Sequence, residues 1–215
     1  MTDWKERAFR DFCLYAVTDL RTEDPGVLEK IERAYRGGAD VVQLRGKGLP
    51  DAALIRLGEK IRKVASRSRK LFIVNDRVDL ALAVRADGVH LGQEDVPVQV
   101  ARGIARRSGQ RLKIGKSVHD IGQAVTAVRE GADLLGVGPV FATPTKPCLD
   151  AVGLDFLKQV SKKVRIPWVA IGGIDLENLS RVLEAGATRV AVVRAIFAAK
   201  DPAAAAARLK KLLKG

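Results

Sequence analysis

The chain has 215 residues, 47% of them hydrophobic, enough for one well-cored domain. Thirty-eight Lys and Arg against 25 Asp and Glu give a net charge of +13, which favours anionic partners. No apolar run approaches the ~20 residues of a bilayer span and the opening MTDWKERAFRDF has no signal-peptide core, so the expected setting is cytoplasmic, without membrane contact.

Residues 4–12 are expected to form a short leading helix, after which apolar runs of strand length alternate with helix-period segments. The runs lie at 13–18, 40–45, 70–75, 88–91, 111–116, 134–140, 167–171 and 189–194, and the helices near 27–37, 51–67, 78–85, 97–107, 120–131, 153–163, 176–186 and 202–213. Most runs are continuously apolar rather than alternating, as parallel strands covered on both faces are. Gly-Ala-Asp or a near variant precedes four of them, at Gly38-Ala39-Asp40, Ala86-Asp87-Gly88, Gly131-Ala132-Asp133 and Gly186-Ala187-Thr188. A glycine just past a helix fits a left-handed cap, so the repeat marks the helix-to-strand turns at the foot of the fold. The pattern predicts one domain, an α/β (β/α)8 barrel with a short N-terminal leading helix; an open, doubly wound sheet is the alternative. Cys13 and Cys148 are far apart and lack CxxC spacing, which argues against a disulfide framework or a zinc site and predicts one core thiol and one loop thiol.

In such a barrel the carboxyl ends of the strands carry the chemistry. The second strand runs into Gln43-Leu44-Arg45-Gly46-Lys47, where alternation turns the glutamine and both cations to one face. An arginine fork and a lysine point charge suit phosphate, although the same residues also make an ordinary basic loop. Between Phe72 and Asp95, one strand ends in Asn75-Asp76 and the next in Gly92-Gln93-Glu94-Asp95. A right-handed crossover brings Asp76 and Asp95 to the same edge, where they either share a magnesium ion that borrows further ligands from a substrate phosphate or cap the helices that follow.

After the fifth strand comes Ser117-Val118-His119, with His119 a base or a structural hydrogen bonder; His90 reads as a structural barrel residue. The loop from Gly138 to Pro147 holds Thr143, Pro144, Thr145 and Lys146 and is a clamp candidate with Lys146 as its anion hook. Gly172-Gly173 after the seventh strand and Val193-Arg194 after the eighth sit where barrels commonly bind phosphate through backbone N–H groups. Basic residues spread over several helices and an aromatic content of 5% make nucleic acid the lesser alternative to small phosphorylated ligands. Two anion sites across one mouth suit an enzyme that joins two phosphorylated molecules.

The segments VQLRGK, FIVNDRVDLAL, ADGVHLGQED, GKS, GVGPVFATPTK, VAIGGI and VAVVRAIF, in that order, closely resemble the thiamine-phosphate synthase family, over about residues 13–210. The resemblance implies a (β/α)8 barrel joining hydroxymethylpyrimidine diphosphate to a thiazole phosphate, with release of pyrophosphate. It implies Mg2+ on Asp76 and Asp95; pyrimidine diphosphate on Gln43, Leu44, Arg45, Gly46, Lys47, Asn75, Ser117 and Lys146; and thiazole phosphate on Thr143, Pro144, Thr145, Gly173, Val193 and Arg194. Arg45, Lys47, Lys146 and Ser117 would carry catalysis. The partners implied are these small molecules, with neither nucleic acid nor membrane, and a homo-oligomer is left open. Two positions depart from the family, which usually has an acidic residue at Gly46 and a serine at Arg194. The thiazole tautomerase branch, which shares Ser117-Val118-His119, is the competing resemblance; it tends to lack the metal aspartates and the Thr-Pro-Thr-Lys loop.

Overall fold

The continuous apolar runs pair side by side as parallel strands. The computed structural model describes residues 3–145 and 149–214. The strands β1 (Leu14–Val17), β2 (Val41–Leu44), β3 (Leu71–Asn75), β4 (Gly88–Leu91), β5 (Lys113–Val118), β6 (Leu134–Val137), β7 (Trp168–Ile171) and β8 (Val190–Val192) follow one another around a closed barrel. β8 returns to β1 with Tyr15 opposite Ala191, so no strand edge is left open. Outside lie α2 (Val27–Arg36), α3 (Asp51–Arg67), α4 (Val78–Ala83), α5 (Val98–Arg107), α6 (Ile121–Arg129), α7 (Gly153–Lys163), α8 (Leu179–Glu184) and α10 (Pro202–Lys214). The leading helix is α1 (Asp3–Asp11), and a single turn, α9 (Arg194–Phe197), stands between β8 and α10. No described helix is long and apolar enough to cross a membrane.

Six of the eight strands feed two cores, which is why their sequences do not alternate; β4 and β5 give buried apolar side chains to the outer layer alone. In β1, Leu14 and Ala16 join the layer between strands and helices, whereas Tyr15 and Val17 join a second cluster inside the barrel. Phe9 and Phe12 belong to that inner cluster, their rings 5.9 Å apart and Phe12 meeting Tyr15 edge-on at 6.1 Å. The leading helix and the residue that follows it therefore contribute two buried aromatic rings to the inner core, worth about 1.5–3 kcal/mol apiece.

At the foot, Gly38, Gly131 and Gly186 take φ of 108°, 89° and 95°, as helix caps of that kind require, and Arg85 does the same work at 53°. The aspartates of the repeat tie strands together. Asp40 Oδ2 accepts from the N–H of Cys13 and Leu14 at 2.9 and 3.1 Å. Asp87 Oδ2 accepts from Phe72 and Asp133 Oδ2 from Ile114, both at 2.8 Å. Each thus reaches from the start of an even strand to the first N–H groups of the odd strand before it.

Three strands depart from the expected bounds by two residues or more. β5 begins at Lys113, where the ladder with Gly88 starts, and continues to Val118. β6 stops at Val137, two residues before Pro139, whose nitrogen has no proton to give a ladder. β8 stops at Val192: Val193 leaves the extended region at φ −108°, ψ −83°, and Arg194 opens α9 rather than ending the strand. Four residues are too few to show a helical period in sequence.

Candidate active site

Inward-facing side chains at the carboxyl ends enclose a cavity of 310 Å³. Among the described residues, Thr18, Gln43, Arg45, Asp87, His90 and Lys116 are the buried polar or charged side chains. All but Asp87 lie in the mouth half. Buried charge is costly without partners, so its concentration there marks the functional end.

One wall comes from β1 to β5. Gln43, 5% exposed, donates from Nε2 to the Tyr15 hydroxyl at 2.8 Å. Burial raises the phenol of Tyr15 well above its ordinary range, so it stays protonated there. Arg45 lies inward beside Gln43, and its Nη1 donates to Asp19 Oδ1. Leu44 faces the other way, into the layer under the helices, so its side chain lies away from the cavity. A Cβ on Gly46 would lie 2.8 Å from Leu54 Cδ2, which makes that position a packing contact. Asn75 and Ser117 line the cavity, with Ser117 Oγ 3.1 Å from His90 Nε2. A Cβ on Gly115 would collide with the His90 ring, and one on Gly136 would come within 2.9 Å of it, so these glycines make room for the imidazole.

At the lip of this wall Asp76 takes a left-handed backbone, φ 61°, with its N–H on the His90 carbonyl at 2.8 Å. This region is tolerable for aspartate and uncommon otherwise. The Asp95 carboxyl lies beside Asp76 and disfavours its charge, and Lys47 Nζ lies 3.6 Å from Asp76 Oδ2. Burial first, then the Asp95 carboxyl, raises Asp76 from 3.8 to about 6, against the pull of Lys47 and Arg45. Neither aspartate caps the following helix: α4 and α5 have Arg77 and Pro97 at their N-caps, with no side-chain hydrogen bond. Asp95 Oδ2 instead accepts the Gly92 N–H at 2.6 Å, and Lys116 Nζ holds the Gly92 carbonyl at 2.6 Å. No cluster of three acidic, His or Cys side chains forms among the described residues. Two abutting carboxylates without a third fit a hard divalent cation that keeps water and phosphate oxygens as its other ligands.

The opposite wall comes from β6 to β8, where Thr143, Thr145, Gly173, Val193 and Arg194 line the cavity. Pro144 is exposed beside them, Arg194 is exposed at the rim, and Lys146 and Cys148 lie outside the described residues. The paired glycines have a packing reason as well as the expected one. A Cβ on Gly172 would lie 2.5 Å from Pro139 Cα, and one on Gly173 2.8 Å from Phe141 Cβ; both residues have positive φ. His119 also lines the cavity, its Nδ1 bonded to the Gly138 carbonyl and its N–H given to Gln123. Sequence reasoning passed over Tyr15, Asp19 and Lys116. Asp19 directly follows a strand, a position that could have flagged it; nothing in sequence marks Lys116 as buried.

The chain matches the family model described as thiamine monophosphate synthase over residues 14–196. It belongs to the thiamine-phosphate synthase family. A thiamine-phosphate synthase of Chloroflexus aurantiacus is 48% identical over 205 residues, covering 94% of this chain and 93% of the relative. One from Gloeobacter violaceus is 51% identical over 88% of this chain and 54% of its own length. The chain spans about half the length of several curated relatives it matches. The thiamine phosphate pyrophosphorylase of Pyrococcus furiosus superposes with a TM-score of 0.86 at 39% identity, covering 96% of this chain and 97% of that one. More distant barrels, among them a 3-hexulose-6-phosphate synthase at 21% identity and TM-score 0.65, share the fold alone.

Proposed function

We propose that the chain is a Mg2+-dependent transferase that joins hydroxymethylpyrimidine diphosphate to a (phosphoethyl)thiazole, giving thiamine monophosphate and pyrophosphate, and CO2 as well where the thiazole carries a ring carboxylate. The observation that carries this reading is the Asp76–Asp95 contact with Lys47 beside it and Arg45 in the adjoining wall, facing a second wall of hydroxyls and glycine backbone. The first wall suits a diphosphate with its cation; the second suits a single phosphate. The family and the P. furiosus neighbour support the same assignment.

Asp76 and Asp95 would hold the cation, which when bound would neutralise charge on the departing diphosphate. Arg45 and Lys47 supply donors where that charge grows, as would Lys146 from the loop after β6. Gln43, fixed by Tyr15, and Asn75 orient the pyrimidine diphosphate, together with Ser117, held by His90. The C–O bond breaks with its electron pair leaving on pyrophosphate. The thiazole nitrogen then gives its lone pair to the pyrimidine methylene, so no side chain need remove a proton. Thr143, Thr145, Gly173, Val193 and Arg194 would seat the thiazole phosphate.

The test supplies both substrates to the purified chain and measures thiamine monophosphate. Product should form in MgCl2, vanish in EDTA and return with added Mg2+. Full turnover in EDTA would remove the cation from the scheme, and no product under any condition would overturn the activity.

A further inference from the structure

The cavity's buried arginine is held by a residue outside the cavity lining. Asp19 follows β1, is 19% exposed at its side chain, and takes Arg45 Nη1 on Oδ1. Thr18 completes a clamp: its hydroxyl donates to the Arg45 carbonyl at 3.1 Å and accepts the Arg45 N–H at 2.9 Å. Arg21 lies 3.7 Å from the same Asp19 oxygen but is 60% exposed, so solvent screens it. On its other side, β2 and β3 pair as far as Leu44 and Val74, so Arg45 and Asp76 leave neighbouring strands one and two residues beyond that pair. Burial disfavours the charge on Arg45 and the Asp76 carboxylate favours it, so the guanidinium is engaged by Asp19 with a second acid at the end of the next strand. An ion pair 7% exposed on the arginine side adds little net stability, because desolvation offsets the attraction. Its consequence is positional.

We propose that Asp19 is a positioning residue that holds Arg45 off Asp76, leaving the Asp76–Asp95 pair available to a divalent cation and the remaining guanidinium donors available to a diphosphate. Without Asp19, Arg45 turns onto Asp76 and competes with the cation for it. The inference rests on the proposed diphosphate and cation site, but its test does not require turnover.

Mn2+ binding is measured by electron paramagnetic resonance on the wild type, Asp19→Ala, Arg45→Ala and the double variant. Asp19→Ala should weaken Mn2+ about tenfold, whereas in the Arg45→Ala background the same change should alter it less than twofold. Asp19→Glu should recover most of the affinity and Asp19→Asn should not. If Asp19→Ala does not fold by circular dichroism, Asp19→Asn takes its place in the cycle. Unchanged Mn2+ binding in Asp19→Ala, equal weakening in both backgrounds, or a wild type that binds no Mn2+ overturns the proposal. Thiamine monophosphate formation is followed in parallel. A wild type without turnover but with the coupled cycle loses the proposed activity and keeps Asp19's role; turnover with an additive cycle does the reverse.

Discussion

The two ends of the barrel use the same residue type in opposite ways. At the foot, Asp87 is 1% exposed and its oxygens are taken by Lys5, Arg62 and the Phe72 N–H. Burial alone would raise Asp40, but the N–H of Cys13, the Lys210 ammonium and the Leu14 N–H outweigh it and lower its carboxyl below the usual value. At the mouth, Asp76 meets another carboxyl and is raised to about 6. A carboxylate surrounded by donors joins strands, whereas one set beside another carboxyl is the one we propose a cation takes. Asp40 and Asp76 are buried to a similar degree, at 18% and 23% side-chain exposure, so the difference between these two lies in the partners.

The largest contrast should come from removing one acid at each end. Asp76→Ala or Asp95→Ala should cut kcat/KM for thiamine monophosphate formation by several orders of magnitude while circular dichroism stays near wild type and Tm does not fall. Asp87→Ala leaves Lys5 and Arg62 facing a buried gap, a loss of about 3–5 kcal/mol when a buried pair is broken. It should lower Tm on the order of 10 °C and leave kcat per folded molecule unchanged. Near-full turnover in Asp76→Ala, or inactivity in a folded Asp87→Ala, would erase the distinction between the two ends.

That distinction was only half legible in the sequence. Periodicity and the Gly-Ala-Asp repeat exposed the barrel, since both are local signals, and the crossover rule was enough to bring Asp76 and Asp95 to one edge. Whether they cap helices or face each other depends on where α4 and α5 begin, and those N-caps fall on Arg77 and Pro97. The aspartates of the repeat looked like turn markers because their partners, such as Lys210 for Asp40 and Lys5 for Asp87, are remote in sequence. Asp19 escaped for the same reason: its role exists only once β2 places Arg45 beside it. The family resemblance put Leu44 among the diphosphate contacts, and strand alternation turns its side chain to the helices.

A smaller effect separates the two ends by pH. The folded Asp76 binds its proton up to about 6 while the unfolded chain releases it near 3.8, so the folded state holds the extra proton in that window. Stability therefore falls as pH rises from about 4 to about 6 on account of Asp76. Asp40, lowered in the fold, contributes stability above its unfolded value and loses it as pH falls through its folded one. In metal-free buffer at neutral pH, Asp76→Asn should raise Tm by a few degrees, from about 1–2 kcal/mol after allowing for partial exposure. Asp40→Asn should lower it. Mg2+ should raise the wild-type Tm and leave Asp76→Asn unmoved; a Tm of Asp76→Asn below wild type at neutral pH would mean the carboxylate is satisfied after all.

The smallest effect tests the far wall of the mouth, where Arg194 stands in place of the small hydroxyl usual in the family. Its side chain is exposed at the cavity rim, and no ion pair involves it among the described residues. Another solvated cation adds little to a chain of net charge +13, whereas one turned over a phosphate adds a charge-assisted hydrogen bond of about 1.5–3 kcal/mol. Exposure and salt reduce that, and ~1.4 kcal/mol already corresponds to a factor of ten. Arg194→Ala should therefore raise KM for the thiazole phosphate about tenfold and leave KM for the pyrimidine diphosphate unchanged, because the Asp76 lip is on the opposite wall. The difference between variant and wild type should shrink at high ionic strength, as a rim contact requires. Two unchanged constants would place the guanidinium in solvent, and a lowered KM would show that it obstructs the phosphate it was expected to hold.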